Sequence, residues 1–568
     1  MRTLRFIAGL AFMCCVPALL QAGDWPRFRG PLGNGVSADD SIPSTWSPSA
    51  NIAWKAELPG PGASSPIIVG GKAFVTCYSG YGLTQENPGD IENLVRHLVC
   101  IDLASGKKLW QQDVPVSMPE DPYSGIGVTA HGYASHTPVS DGKHVFAFFG
   151  KSGVHAYDLD GKKLWQAEVG KESDPTRWGS SSSPIVHNNI LIVTASAESQ
   201  SIIGFDVASG KEVWRQEASG LDGMWGTPSI VESGDRTELV MCVAGEVWGM
   251  DPQTGDLFWY ADAAGQQSYT SVLQNEGRVF AVTGRGGGSI ALEAGGSGNV
   301  SESKTVWTGR DTASFASPVR HESKMYVIAR NIAKVVDTET GKKVEQFRLN
   351  GALQTGGRFG SLDYPSPVVI GDRMFYMNGS GQMYVFALGE KTEQIALNRF
   401  TEDKEIFWGS PAISDNKLVV RSQKHLYCVA DKGQTVEQDA SLFASAAPSD
   451  DARSASGRGG PGGSSGRGGP GGSSGRGGGS RFDPMSMFNN WDKDKDGQLT
   501  KKELEGNSMA DRLMTLDKGG DEQVSKDEFS SGIGSLFSRS GGSGRGGPGG
   551  YSRQDNRPKR PKRPSGVE

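Results

Sequence analysis

One unit recurs along most of this chain. Its fullest copy runs from Ile202 to Trp214: apolar Ile202-Ile203-Gly204-Phe205, then Asp206, a turn through Ser209 and Gly210, Lys211, and a segment closing on Trp214. Copies with Asp102 and Gly106, Asp158 and Gly161, and Asp251 and Gly255 close on Trp110, Trp165 and Trp259. Two worn copies close on Trp307 and, after Asp337 and Gly341, on Phe347. The chemistry is that of a β-hairpin. Asp, Ser and Gly supply turn conformations, and the flanking aliphatic and aromatic residues are strand formers. A unit repeated at fixed spacing is one element of an array, which buries its apolar face only by stacking on its neighbours.

A second signal counts the units. Ser-Pro or Thr-Pro ahead of an apolar segment occurs at Pro66, Pro138, Pro184, Pro228, Pro318, Pro367 and Pro411, and Ser271-Val272 fills the empty slot. Successive gaps are 72, 46, 44, 44, 46, 49 and 44 residues, which makes eight units. The long first gap places insertions between Tyr78 and Arg96 and between Pro115 and Ser135. A unit of about 45 residues with four short strands is a propeller blade. After Pro411 there is room for three strands, so Asn51–Leu58, which contains Trp54, is expected as the fourth. That pairing closes the ring and removes an open edge. The fold class is thus an all-β eight-bladed propeller, followed by a small all-α domain and Gly/Arg-rich segments without a fold.

The Asp…Gly-Lys…Trp unit resembles the pyrroloquinoline-quinone (PQQ) repeat of quinoprotein-like propellers, a family that includes BamB-like proteins. Asp24-Trp25-Pro26-Arg27-Phe28-Arg29-Gly30-Pro31 and Leu58–Pro66 are similar to the opening of an exported bacterial subgroup. The resemblance spans residues 24 to about 432. It implies the fold and leaves function open, because such propellers serve both dehydrogenases and non-catalytic scaffolds.

Residues 1–22 read as a signal peptide: Arg2 and Arg5, an apolar run from Phe6 to Leu20, and a cut before Gly23. No other stretch is long and apolar enough to cross a bilayer as a helix. The expected location is therefore the periplasm or outside the cell. Export leaves Cys77, Cys100, Cys242 and Cys428. Cys77 and Cys100 fall on neighbouring strands and read either as a disulfide or as buried thiols. A net charge of −6 gives no global case for nucleic-acid binding.

The loops entering each blade at the Ser/Thr-Pro signposts rim the central channel. They carry His131 and His136, Arg177 and Trp178, Trp225, Tyr269, Arg358 and Trp408 as candidate pocket residues, with Tyr133, Phe315, Tyr364 and Phe407 among them. Aromatic faces with a few polar groups suit a small molecule or a sugar, and the same rings could instead plug the channel. In quinoprotein dehydrogenases, which the chain resembles, PQQ lies over a Trp near a calcium held by carboxylate and amide oxygens, with an Asp base. Here no such acid set accompanies the aromatics; Asp174 and Asp363 are the nearest acids. The adjacent pair Cys14-Cys15 lies within the signal segment. PQQ and catalysis are therefore not expected, and no catalytic residue is assigned. The main reading is a non-catalytic binding or assembly scaffold whose partner is an envelope protein or glycan. A quinone-dependent oxidoreductase and an envelope-glycan binder are the alternatives.

The propeller domain is assigned to residues 23–440. Residues 441–481, with Ser-Gly-Arg-Gly-Gly repeated, cannot bury enough apolar surface to fold and read as a linker. Residues 482–537 hold the clearest chemical motif. Asp492, Asp494 and Asp496 stand at positions 1, 3 and 5 of a twelve-residue EF-hand loop. Gly497 makes the turn, Gln498 offers its carbonyl, Thr500 stands at position 9 and Glu503 closes the shell at position 12, a pattern for Ca2+. A second loop keeps Asp517, Asp521, Gln523 and Glu528 but has Gly519 at position 3 and Glu522 where a positive φ is needed, so it is read as weak. Leu499 and Val524 are expected to face each other between the loops. Residues 538–568 read as a disordered basic tail ending in Arg557-Pro558-Lys559-Arg560-Pro561-Lys562-Arg563-Pro564.

Overall fold

The repeat Trp explains how the blades hold together. In the computed structural model, Trp54 Nε1–H donates to Leu103 O at 2.9 Å, Trp110 to Leu159 O at 3.1 Å, Trp165 to Val207 O at 2.9 Å and Trp307 to Thr338 O at 2.8 Å. Each acceptor directly follows the repeat Asp of the next blade. The ring of each Trp lies on that blade's turn glycine. Gly210 shows why it is glycine: its φ is +70°, and a Cβ there would stand 2.5 Å from the Trp165 ring. The repeat Asp holds the same turn, as Asp206 Oδ1 accepts from Ser209 N at 2.9 Å and from Ser209 Oγ at 2.6 Å. Trp, Asp and Gly are thus one device, a ring pinned on a turn.

Eight sheets follow in chain order, each of four antiparallel strands, and two carry an extra strand. Blade III is typical, with Ile185–His187, Ile190–Ala195, Ser201–Asp206 and Glu212–Glu217 paired in sequence. Ile52–Glu57 pairs with His425–Val429 and completes blade VIII, as the strand count requires. In blade VI the register places Glu345, not Phe347, opposite Val335, where other blades have Trp. Phe347 stands two residues on and packs against Phe386 at 5.4 Å. In blade VII the same place is Ala396, opposite Val385. Those two seams therefore lack the Trp lock.

The structure describes residues 23–438 apart from 40, 125–126, 175–176, 235, 264, 266, 285–286, 314 and 352–363, then 488, 491–504, 513–517, 519–537 and 559–562. The signal segment, the linker, Arg358, Asp363 and most of the basic tail lie outside them. Two compact units are formed: residues 1–448 with 556–568, and residues 449–555. The second unit has its own core of Phe488, Leu499, Leu504, Leu513, Leu516, Val524 and Phe529. In it, Gln498–Thr500 pairs with Gln523–Ser525, setting Leu499 opposite Val524, and helix Lys526–Phe537 follows.

Cys77 and Cys100 are buried free thiols. The register puts Phe74 opposite Cys100 and His97 opposite Cys77. An odd offset along a strand turns the two sulfurs to opposite faces of the sheet, which rules out a bond between them. No helix among the described residues is long and apolar enough to cross a membrane.

Candidate functional site

The signpost hydroxyls form a closed belt around the channel. Ser65 N–H donates to Thr137 Oγ1 at 2.9 Å, Thr137 N to Ser183 Oγ at 3.0 Å, Ser183 N to Thr227 Oγ1 at 3.0 Å and Thr227 N to Ser271 Oγ at 3.0 Å. The belt continues through Ser317, Ser366 and Ser410, and Ser410 N returns to Ser65 Oγ at 2.9 Å. One hydroxyl per blade thus satisfies the backbone donor of the blade before it, at the narrowest part of the ring where an unpaired N–H would be costly. This is the physical reason for the Ser/Thr-Pro signal.

The residue two places before each hydroxyl, just ahead of the blade's first strand, lines the same space. Those places hold Ala63, Ser135, Ser181, Trp225, Tyr269, Phe315, Tyr364 and Trp408, and all line one cup of about 150 Å³ above the belt. Trp178 and His131 stand beside the small residues. The rings form a continuous arc. Centroid separations are 6.3 Å for Trp178–Trp225, 5.2 Å for Trp225–Tyr269, 5.2 Å for Tyr269–Phe315, 4.6 Å for Phe315–Tyr364 and 6.0 Å for Tyr364–Trp408. Trp225 is anchored by Nε1–H donating to Gly179 O at 2.9 Å.

Phe28 also lines the cup, and no spacing in the repeats points to it. It arrives on the segment that opens the chain. Trp25 bridges to Ile68, Arg27 donates to Pro228 O at 3.4 Å, Arg29 donates to Asn34 O at 3.0 Å and to Pro318 O, and Val36-Ser37 adds to Val369-Ile370. These partners belong to blades I, IV, VI and VII, so the segment spans the channel. Both side chains are buried, and burial pushes Arg27 down to about 10 and Arg29 to about 9.

His131 is committed to structure. Its Nε2–H donates to Trp178 O at 2.6 Å and Nδ1 accepts from Ser135 Oγ at 2.6 Å, while burial lowers its pKa. His136 is not in the cup. It lies behind, 4.2 Å from the Phe148 ring and 3.1 Å from Ser180 Oγ, and burial pushes it down to about 3. Ser180 Oγ–H donates to Glu198 Oε1 at 2.5 Å. Glu198 is only 3% exposed, and desolvation pushes its carboxyl up to about 7. The pairs Arg96–Glu120 and Lys151–Asp121 (3.0 Å) complete a buried charged cluster under the blade I insertions. Arg177 is exposed, with φ +56°, and does not line the cup.

Among the described residues, no Asp, Glu, Lys or Arg lines the cup. Calcium-linked PQQ needs carboxylate ligands for the ion and cationic or amide partners for its own acids. The described donor set is rings, hydroxyls and one imidazole engaged with Ser135 and the Trp178 carbonyl.

In the second unit, Asp492, Asp494 and Asp496 bring one carboxylate oxygen each within 4.8 Å of one another. Asp492 is 4% exposed; its Oδ2 accepts from Gly497 N at 3.0 Å, and its Oδ1 is buried without a hydrogen-bond partner. Glu503 Oε1 accepts from Lys493 N at 2.9 Å and Oε2 from Thr500 N at 2.9 Å, which folds the loop around the acids. Gln498 N donates to Asp496 Oδ1 at 2.8 Å, leaving its carbonyl on the strand. In the second loop, Asp517 Oδ2 accepts from Glu522 N at 2.9 Å, Asp521 Oδ1 from Gln523 N at 3.1 Å and Glu528 Oε2 from Ser525 N at 2.9 Å. Glu522 does take a positive φ, +61°.

Residues 45–225, 95–347 and 198–442 match the family model described as outer membrane protein assembly factor BamB. Among solved structures, BamB from Moraxella catarrhalis is similar at 13% identity and a TM-score of 0.47, covering 68% of this chain and 99% of that one. The quinohemoprotein alcohol dehydrogenase from Comamonas testosteroni is similar at 13% identity and a TM-score of 0.38, covering 73% of this chain and 82% of that one. Among curated proteins no sequence matches.

Proposed function

Taking as premise that the chain belongs to the family described as outer membrane protein assembly factor BamB, we propose that it is an exported, non-catalytic binding and assembly scaffold of the cell envelope. The observation that carries this reading is the cup: five neighbouring blades each present an aromatic ring over a floor of hydroxyls already bonded to backbone. Such a surface binds by ring faces and shape. Its one hydroxyl–imidazole pair, Ser135 with His131, is tied down by the Trp178 carbonyl on His131 Nε2, and among the described residues no carboxylate lines the cup for proton transfer. An apolar or proline-rich protein segment, or the apolar face of a sugar, is the chemistry it accepts. The test is capture of envelope proteins and glycans on the immobilised chain, compared with Trp178→Ala and Trp225→Ala. Loss of the same retained species in both variants supports the reading. Unchanged retention of every species would remove the cup from the account.

The proposal includes Ca2+ in the first acidic loop, with Asp492, Asp494, Asp496, Glu503 and the Gln498 carbonyl as ligands. The buried, unpartnered Asp492 Oδ1 supports it, since an oxygen so placed requires a partner. The ion would order the second unit. Calorimetry with Glu503→Gln checks the ligand set.

A further inference from the structure

The basic tail, unstructured by composition, has one stretch with a defined place. Residues 559–562 belong to the propeller unit. They lie at the seam between blade III, whose outer strand is Glu212–Glu217, and blade IV, whose outer strand is Leu257–Asp262. Arg560 Nε–H donates to Glu246 Oε2 at 2.9 Å and Nη2–H to Glu246 Oε1 at 2.6 Å, a two-pronged pair. The guanidinium carbon stands 3.5 Å from the centre of the Tyr260 ring. Lys562 O accepts from Leu257 N at 2.8 Å, and Lys559 N donates to Ser219 Oγ at 2.6 Å. Pro561 is buried.

The receiving side chains are particular to this blade. Glu246 is 2% exposed, and Trp248 Nε1–H donates to its Oε2 at 2.7 Å. At the same register place, blade I has His97, blade III Ser201 and blade VI Ile332. No structural role in the repeat calls for a carboxylate there. This seam also lacks the hydrogen bond that Trp54, Trp110, Trp165 and Trp307 make to the next blade. Trp214, which should donate to the next blade, has no partner for Nε1. A buried carboxylate with one neutral donor is costly, whereas one held by a planar guanidinium over an aromatic face is matched in charge and geometry. Arginine followed by proline supplies that guanidinium on a chain already extended, with a free carbonyl two residues on.

We propose that the Glu246 cleft is a binding site for an extended basic Arg-Pro-Lys peptide, and that the chain's own tail occupies it in cis. The docked tail ties the second end of the loop-bearing unit to the propeller, so that residues 449–555 are attached at both ends. It also makes the cleft available to another chain's Arg-Pro segment only when the tail leaves. The tail repeats Arg-Pro at Arg557, Arg560 and Arg563, so it can re-register by three residues.

The test uses the full chain. A fluorescent peptide of residues 556–568 is titrated into the wild type and into a variant carrying Arg557→Ala, Arg560→Ala and Arg563→Ala together. The variant, with its cleft vacated, should bind the peptide at least about tenfold more tightly than the wild type, whose tail competes at high effective concentration. A peptide with the three arginines changed to lysine keeps the charge and loses the fork, and should bind at least about fivefold more weakly. Adding Glu246→Gln to the variant should abolish binding. Equal binding to wild type and variant would overturn occupancy in cis. Equal binding of the arginine and lysine peptides would overturn the site, and this arm does not depend on any variant folding.

Discussion

Replacing Glu198 by Gln should make the propeller's stability less sensitive to pH, in one direction and one window. Burial pushes this carboxyl from 4.5 to about 7; the Ser180 hydroxyl opposes the shift, and Glu120 adds to it. The folded chain therefore keeps the proton up to about pH 7, whereas the unfolded chain releases it near 4.5. Stability from this group is lost as pH rises between those values, and the loss is complete above the upper one. At about 1.4 kcal/mol per pH unit the loss is about 3 kcal/mol. For a propeller of this length, an unfolding entropy of about 2 cal/mol/K per residue turns that into about 3–4 °C in Tm. The assay is thermal unfolding of wild type and Glu198→Gln at about pH 5 and about pH 8, where all other titrating groups are common to both. The variant should gain about 3 °C on the wild type between the two pH values. A difference in Tm that does not change with pH, or that moves the other way, would refute a neutral buried Glu198.

Gly210→Ala should cost more than about 2 kcal/mol, because the new Cβ meets both a positive φ and the Trp165 ring; denaturant unfolding reads it, against a smaller cost of about 1 kcal/mol for Gly234→Ala, which has a positive φ (+64°) but open space. Trp165→Phe drops the bond to Val207 O and part of the ring that covers Gly210, so its cost should be at least about 1 kcal/mol by the same method. Glu503→Gln should weaken calcium affinity at least about tenfold by calorimetry, while Glu528→Gln leaves the tighter site in place. Thiol titration should find the Cys77 and Cys100 thiols free in the purified, air-exposed protein once it is denatured.

Much of the architecture was legible because it repeats. The Asp, Gly and Trp of the unit form one contact that recurs at Trp54, Trp110, Trp165 and Trp307, and the Ser/Thr-Pro spacing is the hydroxyl belt written along the chain. The aromatic rim followed from the same spacing, since the residue two places before each hydroxyl lines the same space. Phe347 misled because a worn copy preserves the aromatic character two residues from where the register needs it. What does not repeat was not legible. Phe28 reaches the cup from the opening segment, and Glu198 is an acid in a strand-connecting turn whose burial depends on an insertion. His136 and Trp178 come from similar loops, yet one faces inward and the other the cup. The Arg560–Glu246 pair joins positions 314 residues apart, and the composition of the tail argues against any fixed place for it.

The cup is proposed to recognise a partner and not to oxidise a substrate. Calorimetric titration of PQQ into the purified chain with calcium present, followed by dye-linked assay with alcohols and sugars, tests it most directly. No saturable heat and no dye reduction are expected, because among the described residues no carboxylate or amide side chain lines the cup to hold calcium. Saturable binding with turnover, lost on replacing Trp225, would contradict the proposal and make the cup a catalytic site.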